Sequence, residues 1–186
     1  MKAIGLFASY GYEGTSTEAL LAAMGVSRQS LYDTFGSKRE LYIEAVRRYN
    51  IDSATRFVKT LEKGATPLGG VRRALISHID RRDGHTDGAC LGVGSICEFG
   101  RRDPAIIAAR EEAAPLILGP LFRTLALAQA AGEIRSDVDP QLAAEFLLTF
   151  LNGLKVNARS GMSIKRLKEI GSLALAAFAH GVRQAR

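Results

Sequence analysis

The sequence predicts an all-α protein. Apolar residues recur at three- and four-residue spacing along nearly the whole chain of 186 residues, and this spacing is the period of an α-helix. No window of four to eight residues alternates strictly between apolar and polar positions, and the sequence contains no hairpin motif and no internal repeat. Residues that begin and end helices occur throughout. We expect a three-helix N-terminal domain with a helix-turn-helix, followed by a larger helical domain.

The composition is that of a soluble globular chain, with 47% hydrophobic and 24% charged residues. The net charge of +6 is compatible with nucleic-acid binding but locates no binding face. The longest uncharged apolar run, residues 170–182, is shorter than the roughly 18 residues of a spanning helix, so we expect no membrane span. Residues 1–17 lack the features of a signal peptide, which predicts a cytoplasmic protein with reduced cysteines.

The first capped helix follows a glycine-containing turn. Thr15 and Glu18 fit a capping box, in which the hydroxyl accepts from a free backbone amide and the carboxylate reaches back. The helix is expected to begin at about Ser16 and to end at Met24, because Gly25 supplies the left-handed residue that closes a helix.

The second helix begins only three residues later, with Ser27 as its cap. Two short helices joined by such a turn form a helix-turn-helix, whose second helix can enter the major groove of DNA. With Leu31 pointing inward, helical geometry places Phe35 and Thr34 beside it. The opposite, outward face carries polar side chains: Gln29, Ser30, Tyr32 and Asp33.

A third capping box, Ser37 with Glu40, begins a long helix that is expected to end near Leu61. Lys38 lies in the first turn of this helix, where a cation opposes the helix dipole, so local stability does not explain it. A phosphate bound at the same amide-rich end would explain it.

The rest of the chain is also predicted to be helical. The motif EKGATPLGG near residue 62 breaks the long helix, and residues 82–89 resemble a surface loop. Pro115, Gly119 and Pro120 disrupt helix interiors, so a kink is expected near residues 115–120. Helices are predicted to begin after Asp103, Asp139 and Ser163, the last two covering residues 140–160 and 163–183. Helix ends are predicted at Gly11, Gly25, Gly36, Gly132 and Gly161.

Residues 3–48, AIGLFASYGYEGTSTEALLAAMGVSRQSLYDTFGSKRELYIEAVRR, resemble the DNA-binding domain of the TetR (tetracycline repressor) family. The matching features are LF followed three residues later by GY, then TS, GVS, SLY, and SK followed by EL. Residues 132–154, GEIRSDVDPQLAAEFLLTFLNGL, resemble the opening of that family's dimerisation helix. The resemblance implies a helix-turn-helix DNA-binding domain at residues 1–48, with the motif at about 16–35, and a regulatory ligand-binding and dimerisation domain at residues 49–186.

The resemblance further implies a one-component transcription regulator, and most directly a repressor. Its partners would be a palindromic double-stranded DNA operator, a small-molecule effector of unknown identity that releases it, and a second copy bound through the last two helices, about residues 140–183. No cofactor and no metal is expected. The family also often has a basic arm before helix one, so the DNA affinity of this sequence is expected to be lower than that of a chain with the arm.

The base-reading and phosphate-binding positions that the resemblance implies are Thr17, Arg28, Gln29, Ser30, Tyr32, Asp33 and Lys38. Arg28 is suited to guanine and Gln29 to adenine, whereas Lys38, Tyr32 and Thr17 are suited to phosphate contacts. Asp33 and Thr34 depart from the family's pattern. A carboxylate near phosphates is unfavourable unless it accepts from a cytosine amino group or pairs with Arg28 or a lysine.

A ligand cavity is expected in the regulatory domain, since the kink near residues 115–120 would make room. Its candidate lining residues are Cys97, Phe99, Phe122, Phe146, Phe150 and Asn152, with Leu148 and Leu151. The alternative is that these are ordinary core residues. On the last helix the small residues Gly171, Ala174, Ala177 and Gly181 share one face, which predicts close helix packing across a dimer axis.

Two other functions stay open at this stage. If residues 90–97 are helical, Cys90 and Cys97 lie about 10 Å apart along the axis, too far for a disulfide. Either thiol is then a candidate sensor of redox state, electrophiles or metals. The alternative is that both cysteines are small buried hydrophobic residues without a sensing role. A helical adaptor without DNA binding would have the same fold. Catalysis is not expected, because the sequence has three histidines and lacks the hydrolase, phosphate-loop and metalloprotease motifs.

Overall fold

The computed structural model describes residues 2–80 and 89–179. These residues form ten α-helices and no strand, so the predicted all-α class is confirmed. The helices are α1 (Lys2–Tyr10), α2 (Thr17–Met24), α3 (Arg28–Phe35), α4 (Lys38–Leu61), α5 (Pro67–Asp80), α6 (Leu91–Phe99), α7 (Pro104–Glu111), α8 (Ala114–Ala130), α9 (Pro140–Arg159) and α10 (Ile164–Ala179). The expected loop at residues 82–89 lies, except for Ala89, outside the described residues.

The chain divides into two compact units. The first contains the described parts of residues 1–53 and 82–114, so α6 and α7 fold with the N-terminal helices. Its core is formed by apolar residues of α1 to α4 together with those of α6 and α7. The largest of these buried side chains are Phe7, Leu20, Leu31, Tyr42, Leu91 and Ile106. The N-terminal helices therefore share one hydrophobic core with a segment that lies far from them in sequence.

The second unit contains the described parts of residues 54–81 and 115–186. Its main core is formed by α5, α8, α9, α10 and the last turns of α4, with Phe57, Leu75, Leu121, Leu125 and Leu147 fully buried. A smaller cluster joins Ile79 to Leu154 and Leu167. The apolar residues that recur along one side of each of these helices are buried by this packing.

Most helix ends follow the predicted local chemistry. Asp103 accepts hydrogen bonds from the amides of Ala105 and Ile106, and Asp139 accepts one from Gln141. Each of these aspartates precedes a proline at the first helical position, as the sequence indicated. The five glycines predicted to end helices all have positive φ angles between 73° and 95°. These conformations favour glycine because it has no Cβ atom.

The predicted cap of α2 is wrong by one residue. Ser16, not Thr15, is the N-cap, and its hydroxyl accepts from the amide of Ala19 at 3.1 Å. Thr15 is buried instead, and its hydroxyl donates to the carbonyl of Gly11 at 2.6 Å. Burial decides between the two hydroxyls, because the buried one must bond to a nearby acceptor while the exposed one is free to cap.

The helix interruption expected near residues 115–120 lies earlier in the chain. The break lies between Glu111 and Ala114, and α8 continues through Gly119 and Pro120. Pro115 lies in the first turn of α8, where an amide has no partner within the helix and proline is tolerated. Proline has no amide hydrogen, so Pro120 cannot donate to the carbonyl of Leu116. Leu116 is exposed, so this carbonyl lies near water.

Residues 104–130 are apolar and long enough to span a membrane by length and composition alone, which corrects the expectation that no segment reaches that length. Two observations argue against a span. The helix is interrupted between Glu111 and Ala114. In addition, Leu121, Leu125 and Ala128 are buried in the core of the second unit. No membrane is indicated.

The small residues of α10 do not form one exposed face. Gly171 is buried, and a Cβ atom there would lie 3.2 Å from Cδ1 of Ile79 in α5. Its small size therefore permits packing within the chain. Ala177 is exposed, and Gly181 lies outside the described residues.

Candidate functional site

The helix-turn-helix is built by two local signals. Gly25 adopts φ 73° and ψ 35° and ends α2 with a hydrogen bond from its amide to the carbonyl of Leu21. Ser27 then caps α3, because its hydroxyl accepts from the amide of Ser30 at 3.1 Å. Both features were predicted, and together they produce a three-residue turn between two helices of 8 residues each.

The helix α3 is held by one side only. Leu31 is 1% exposed and Phe35 is half-buried, whereas every other residue of the helix is exposed. Thr34 was expected to lie beside Leu31, but it is exposed and its hydroxyl donates to the carbonyl of Ser30 at 2.8 Å. The exposed residues of α3 are Arg28, Gln29, Ser30, Tyr32, Asp33 and Thr34. Five of them were predicted as DNA-binding positions.

Two polar pairs occupy this exposed surface. The guanidinium of Arg28 forms an ion pair with Glu18 of α2. The side-chain amide of Gln29 donates to the carboxylate of Asp33 at 2.7 Å. The partner of Asp33 is therefore Gln29 rather than the expected Arg28 or lysine, because residues four apart on a helix are neighbours on its surface. Arg28 and Gln29, the two predicted base-reading residues, are both engaged by carboxylates.

Two further predicted positions lie at helix N-termini. Thr17 is the first residue of α2 and Lys38 the first of α4, and both are half-buried. The Nζ atom of Lys38 lies 4.4 Å from the centre of the Tyr12 ring. This cation–π contact stabilises the lysine locally, so the expectation that local stability does not explain Lys38 is wrong. Its position at free backbone amides still suits an anion.

The turn between α1 and α2 is held by a residue that the sequence did not indicate. Oε1 of Glu98 in α6 accepts from the backbone amides of Tyr12 at 3.0 Å and Glu13 at 3.1 Å, and Oε2 accepts from Tyr12 at 2.9 Å. Glu98 and Tyr12 are 86 residues apart. No local spacing signals such a contact.

Asp103 has a second role besides capping α7. Nη2 of Arg39 lies 2.8 Å from its Oδ1 and 2.7 Å from its Oδ2. Burial raises the pKa of the Asp103 carboxyl, but the bonds from Arg39, Ile106 and Ala105 and the charge of Arg39 outweigh burial and hold the pKa below its usual value. Asp103 is therefore ionised at neutral pH.

An aromatic cluster lies beneath the turn between α1 and α2. The ring of Tyr42 is 4.9 Å from that of Phe7, 5.2 Å from Tyr12 and 5.4 Å from Phe99. Tyr42 is fully buried, and its hydroxyl makes no hydrogen bond among the described residues. Burial and the nearby negative charge of Glu98 raise the pKa of its phenol, so Tyr42 stays protonated.

The candidate cavity residues are divided between the two compact units. Phe99 belongs to the aromatic cluster of the first unit, and Cys97 is exposed on the same helix. In the second unit Phe146 is 45% exposed and stacks on Phe150, with ring centres 5.8 Å apart. Leu151 is an ordinary core residue. Phe122 is exposed, and Leu148 and Asn152 are half-buried. The single cavity expected from these residues stays a prediction.

The two cysteines occupy different environments. Both are free, as expected from their spacing. Cys90 is buried at the N-cap of α6, where its side chain makes no capping hydrogen bond. Cys97 is exposed, so the alternative of two buried residues holds for Cys90 alone.

The helices α9 and α10 each present exposed apolar residues. On α9 these include Leu142, Phe146 and Val156, and on α10 Leu173 is 72% exposed. At about 100° per residue the three α9 residues fall within an arc of about 80°, so they form a stripe along one side of the helix. Exposed apolar stripes of this kind are typical of protein interfaces.

Comparison with known proteins identifies this arrangement. Residues 2–45 match the family model of bacterial regulatory proteins of the tetR family, and residues 68–169 match the tetracyclin repressor-like C-terminal domain. The chain belongs to the TetR family. It is a DNA-binding helix-turn-helix transcriptional regulator of the repressor type, and the family is dimeric and binds small-molecule effectors.

Individual relatives cover most of this TetR-family chain. It is 30% identical over 170 residues to the uncharacterised regulator YezE of Bacillus subtilis, covering 90% of this chain and 88% of YezE. It is 28% identical to the transcriptional repressor ComR of Escherichia coli over 94% of this chain and 84% of ComR. A cysteine mutant of the TetR-family regulator CifR in complex with 26-bp operator DNA has a TM-score of 0.74 and 28% identity, with 95% and 93% coverage.

Proposed function

We propose that this regulator represses transcription by binding a palindromic operator through the exposed surface of α3. The observation that carries the proposal is the one-sided burial of that helix, since Leu31 anchors it and the polar side chains opposite remain in water. An 8-residue helix is about 12 Å long, which matches the width of the major groove. ComR is named as a repressor, and CifR was solved with operator DNA.

The proposed division of labour follows side-chain chemistry. Arg28 and Gln29 contact base edges, because a guanidinium pairs with guanine and a carboxamide with adenine. Asp33 accepts from a cytosine amino group or keeps its bond to Gln29, and Ser30 contacts a neighbouring base edge. Thr17, Tyr32 and Lys38 bind phosphates and fix the register of the helix.

DNA binding would rearrange the polar pairs of the free protein. Arg28 would exchange Glu18 for a guanine, and the exchange is feasible because both partners are exposed, at 54% and 72% of the side-chain surface. Exposed ion pairs contribute little free energy, so leaving Glu18 costs less than about 1 kcal/mol.

In the proposed assembly, α9 and α10 of two copies pack into a four-helix interface. The two α3 helices would then contact half-sites about 34–36 Å apart or a multiple of that distance. Residues 1–48 act as the DNA-binding domain and residues 49–186 as the regulatory and dimerisation domain. A small molecule bound in the regulatory domain lowers operator affinity by favouring a different dimer geometry. We place the protein in the cytoplasm and assign it no catalytic activity.

The test is operator binding with salt titration. Anisotropy of labelled DNA from upstream of the protein's own gene, competed with random DNA, should give a steep linear decrease of log K with log salt. Gln29→Ala should relax base preference at one position in each half-site, by roughly 1–3 kcal/mol. Gln141→Ala is the matched control, because Gln141 donates to Glu145 in the same four-residue geometry on α9. A helical adaptor, the alternative function, would bind DNA weakly and without base preference.

A further inference from the structure

A carboxylate from the C-terminal family domain holds a turn of the DNA-binding domain. Tyr12 lies within the residues that match the N-terminal family model, and Glu98 within those that match the C-terminal one. Both nevertheless belong to the same compact unit. Glu98 accepts from the backbone amides of Tyr12 and Glu13 through both of its oxygens. Hydrogen bonds to a charged acceptor are roughly twice as strong as neutral ones.

The site is close-fitting on both sides. Gly11, which ends α1 with φ 73°, lies directly against the carboxylate, since a Cβ atom there would be 3.2 Å from both Glu98 oxygens. On the other side, Glu98 is fixed to α6, whose Leu91 and Ser95 are 1% and 0% exposed. The carboxylate therefore projects from an anchored helix onto amides that lie beyond the end of α1.

The turn held by Glu98 leads directly into α2. The carbonyl of Gly11 accepts from the buried Thr15 hydroxyl, and Ser16 then caps α2. Leu20 of α2 and Leu31 of α3 are both fully buried in the core of this unit. A displacement of the turn would therefore be transmitted through α2 to the position of α3.

We propose that Glu98 is a positioning residue for operator binding. It fixes the turn between α1 and α2, and through α2 it fixes the orientation of α3 in the major groove. This role rests on the proposed use of α3 for base reading. It predicts a loss of discrimination between operator and random DNA, because phosphate contacts tolerate a misplaced helix better than base contacts do.

The experiment compares Glu98→Gln and Glu98→Ala with the charge-matched control Glu111→Gln. Glu111 is exposed at the end of α7. Operator and random-DNA affinities are measured for each protein at several salt concentrations. We expect Glu98→Ala to weaken operator binding about tenfold with unchanged random-DNA affinity, and Glu98→Gln, which keeps one acceptor oxygen, to recover part of the loss. The backbone amide resonances of Tyr12 and Glu13 should move upfield in the same order.

A second pair of variants tests the same contact from the other side. Gly11→Ala and Gly132→Ala introduce the same strain, because both glycines have φ 73°. Only Gly11 lies against Glu98, whereas a Cβ atom at Gly132 would meet nothing within 4 Å. Gly11→Ala should therefore reduce operator discrimination and Gly132→Ala should not.

The outcomes are distinct. Unchanged operator affinity in both Glu98 variants would overturn the proposal, and so would equal losses on operator and random DNA. If Glu98→Ala does not fold, the Glu98→Gln variant and its amide resonances decide. Failure of the unmodified protein to bind any operator would overturn the proposed function instead.

Discussion

The side-chain amide of Gln29 donates to the carboxylate of Asp33 at 2.7 Å, one turn further along α3. The pair lies on the exposed surface proposed to contact DNA, and it places a negative charge where phosphates would approach. Asp33 therefore has two opposing effects. It orients Gln29, which favours specific readout, and it repels the DNA backbone, which disfavours all binding.

Asp33→Asn should separate these effects. Removing the charge should strengthen binding to random DNA by roughly two- to fivefold at low salt, and the gain should disappear at high salt as screening increases. Discrimination for the operator should decrease, because Gln29 loses its charged partner. The control is Asp137→Asn, since Asp137 is an exposed aspartate in the second unit. Equal changes in both variants would contradict a local role.

Glu18→Gln should strengthen DNA binding. A hydrogen bond from its own backbone amide, followed by the bond from Arg28, lowers the pKa of Glu18, so the carboxylate is charged at neutral pH and competes with DNA for Arg28. Without the charge, operator affinity should rise roughly two- to fivefold. Anisotropy titrations would detect this, and Glu112→Gln, which changes another exposed ion pair, with Arg47, should leave affinity unchanged. A decrease in operator affinity would show that Glu18 positions Arg28 for binding.

Lys38→Ala should weaken binding to operator and random DNA alike. The salt slope should become shallower by about one ion, which is the signature of a lost phosphate contact. Lys63→Ala, at an exposed lysine after α4, is the control. Because Lys38 also contacts the Tyr12 ring, thermal unfolding is needed to show that the variant remains folded. An unchanged slope would leave Lys38 with the cation–π role alone.

The ion pair between Arg39 and Asp103 predicts a pH dependence of stability. The folded-state pKa of Asp103 is below the usual value of 3.8, so its contribution is present above that pH and is lost as pH falls through the folded pKa. Asp103→Asn should lower the free energy of unfolding by about 1 kcal/mol at pH 7, and the difference should disappear in acid. Urea unfolding measures it. Asp139→Asn is the control, because asparagine also caps a helix and Asp139 caps α9.

Leu173→Glu should dissociate the dimer. Leu173 is 72% exposed on α10, and a buried unpaired carboxylate at a subunit interface is strongly unfavourable. Sedimentation should give a 20.0 kDa monomer, with operator affinity reduced because one half-site contact is lost. Leu127→Glu on α8, where Leu127 is 61% exposed, is the matched control. Dissociation by the control alone would move the interface to α8.

The helix boundaries around the recognition helix, and the family of the chain, can be read from the amino-acid sequence alone. Gly25, Ser27 and Ser37 act on amides and carbonyls within four residues of themselves, so their roles can be read from spacing. The outward face of α3 follows from the same helical period, apart from Thr34. Local chemistry decides these features.

The groups from distant parts of the chain that complete the DNA-binding unit become visible only in the folded molecule. Glu98 reaches Tyr12 across 86 residues, and Asp103 reaches Arg39 across 64. The N-cap of α2 was predicted at Thr15 but is Ser16, because Thr15 is buried. Phe99 was predicted to line a cavity but packs against Tyr42 in the aromatic cluster. These outcomes depend on which surfaces pack together in three dimensions. The spacing of residues along the chain does not reveal which surfaces those are.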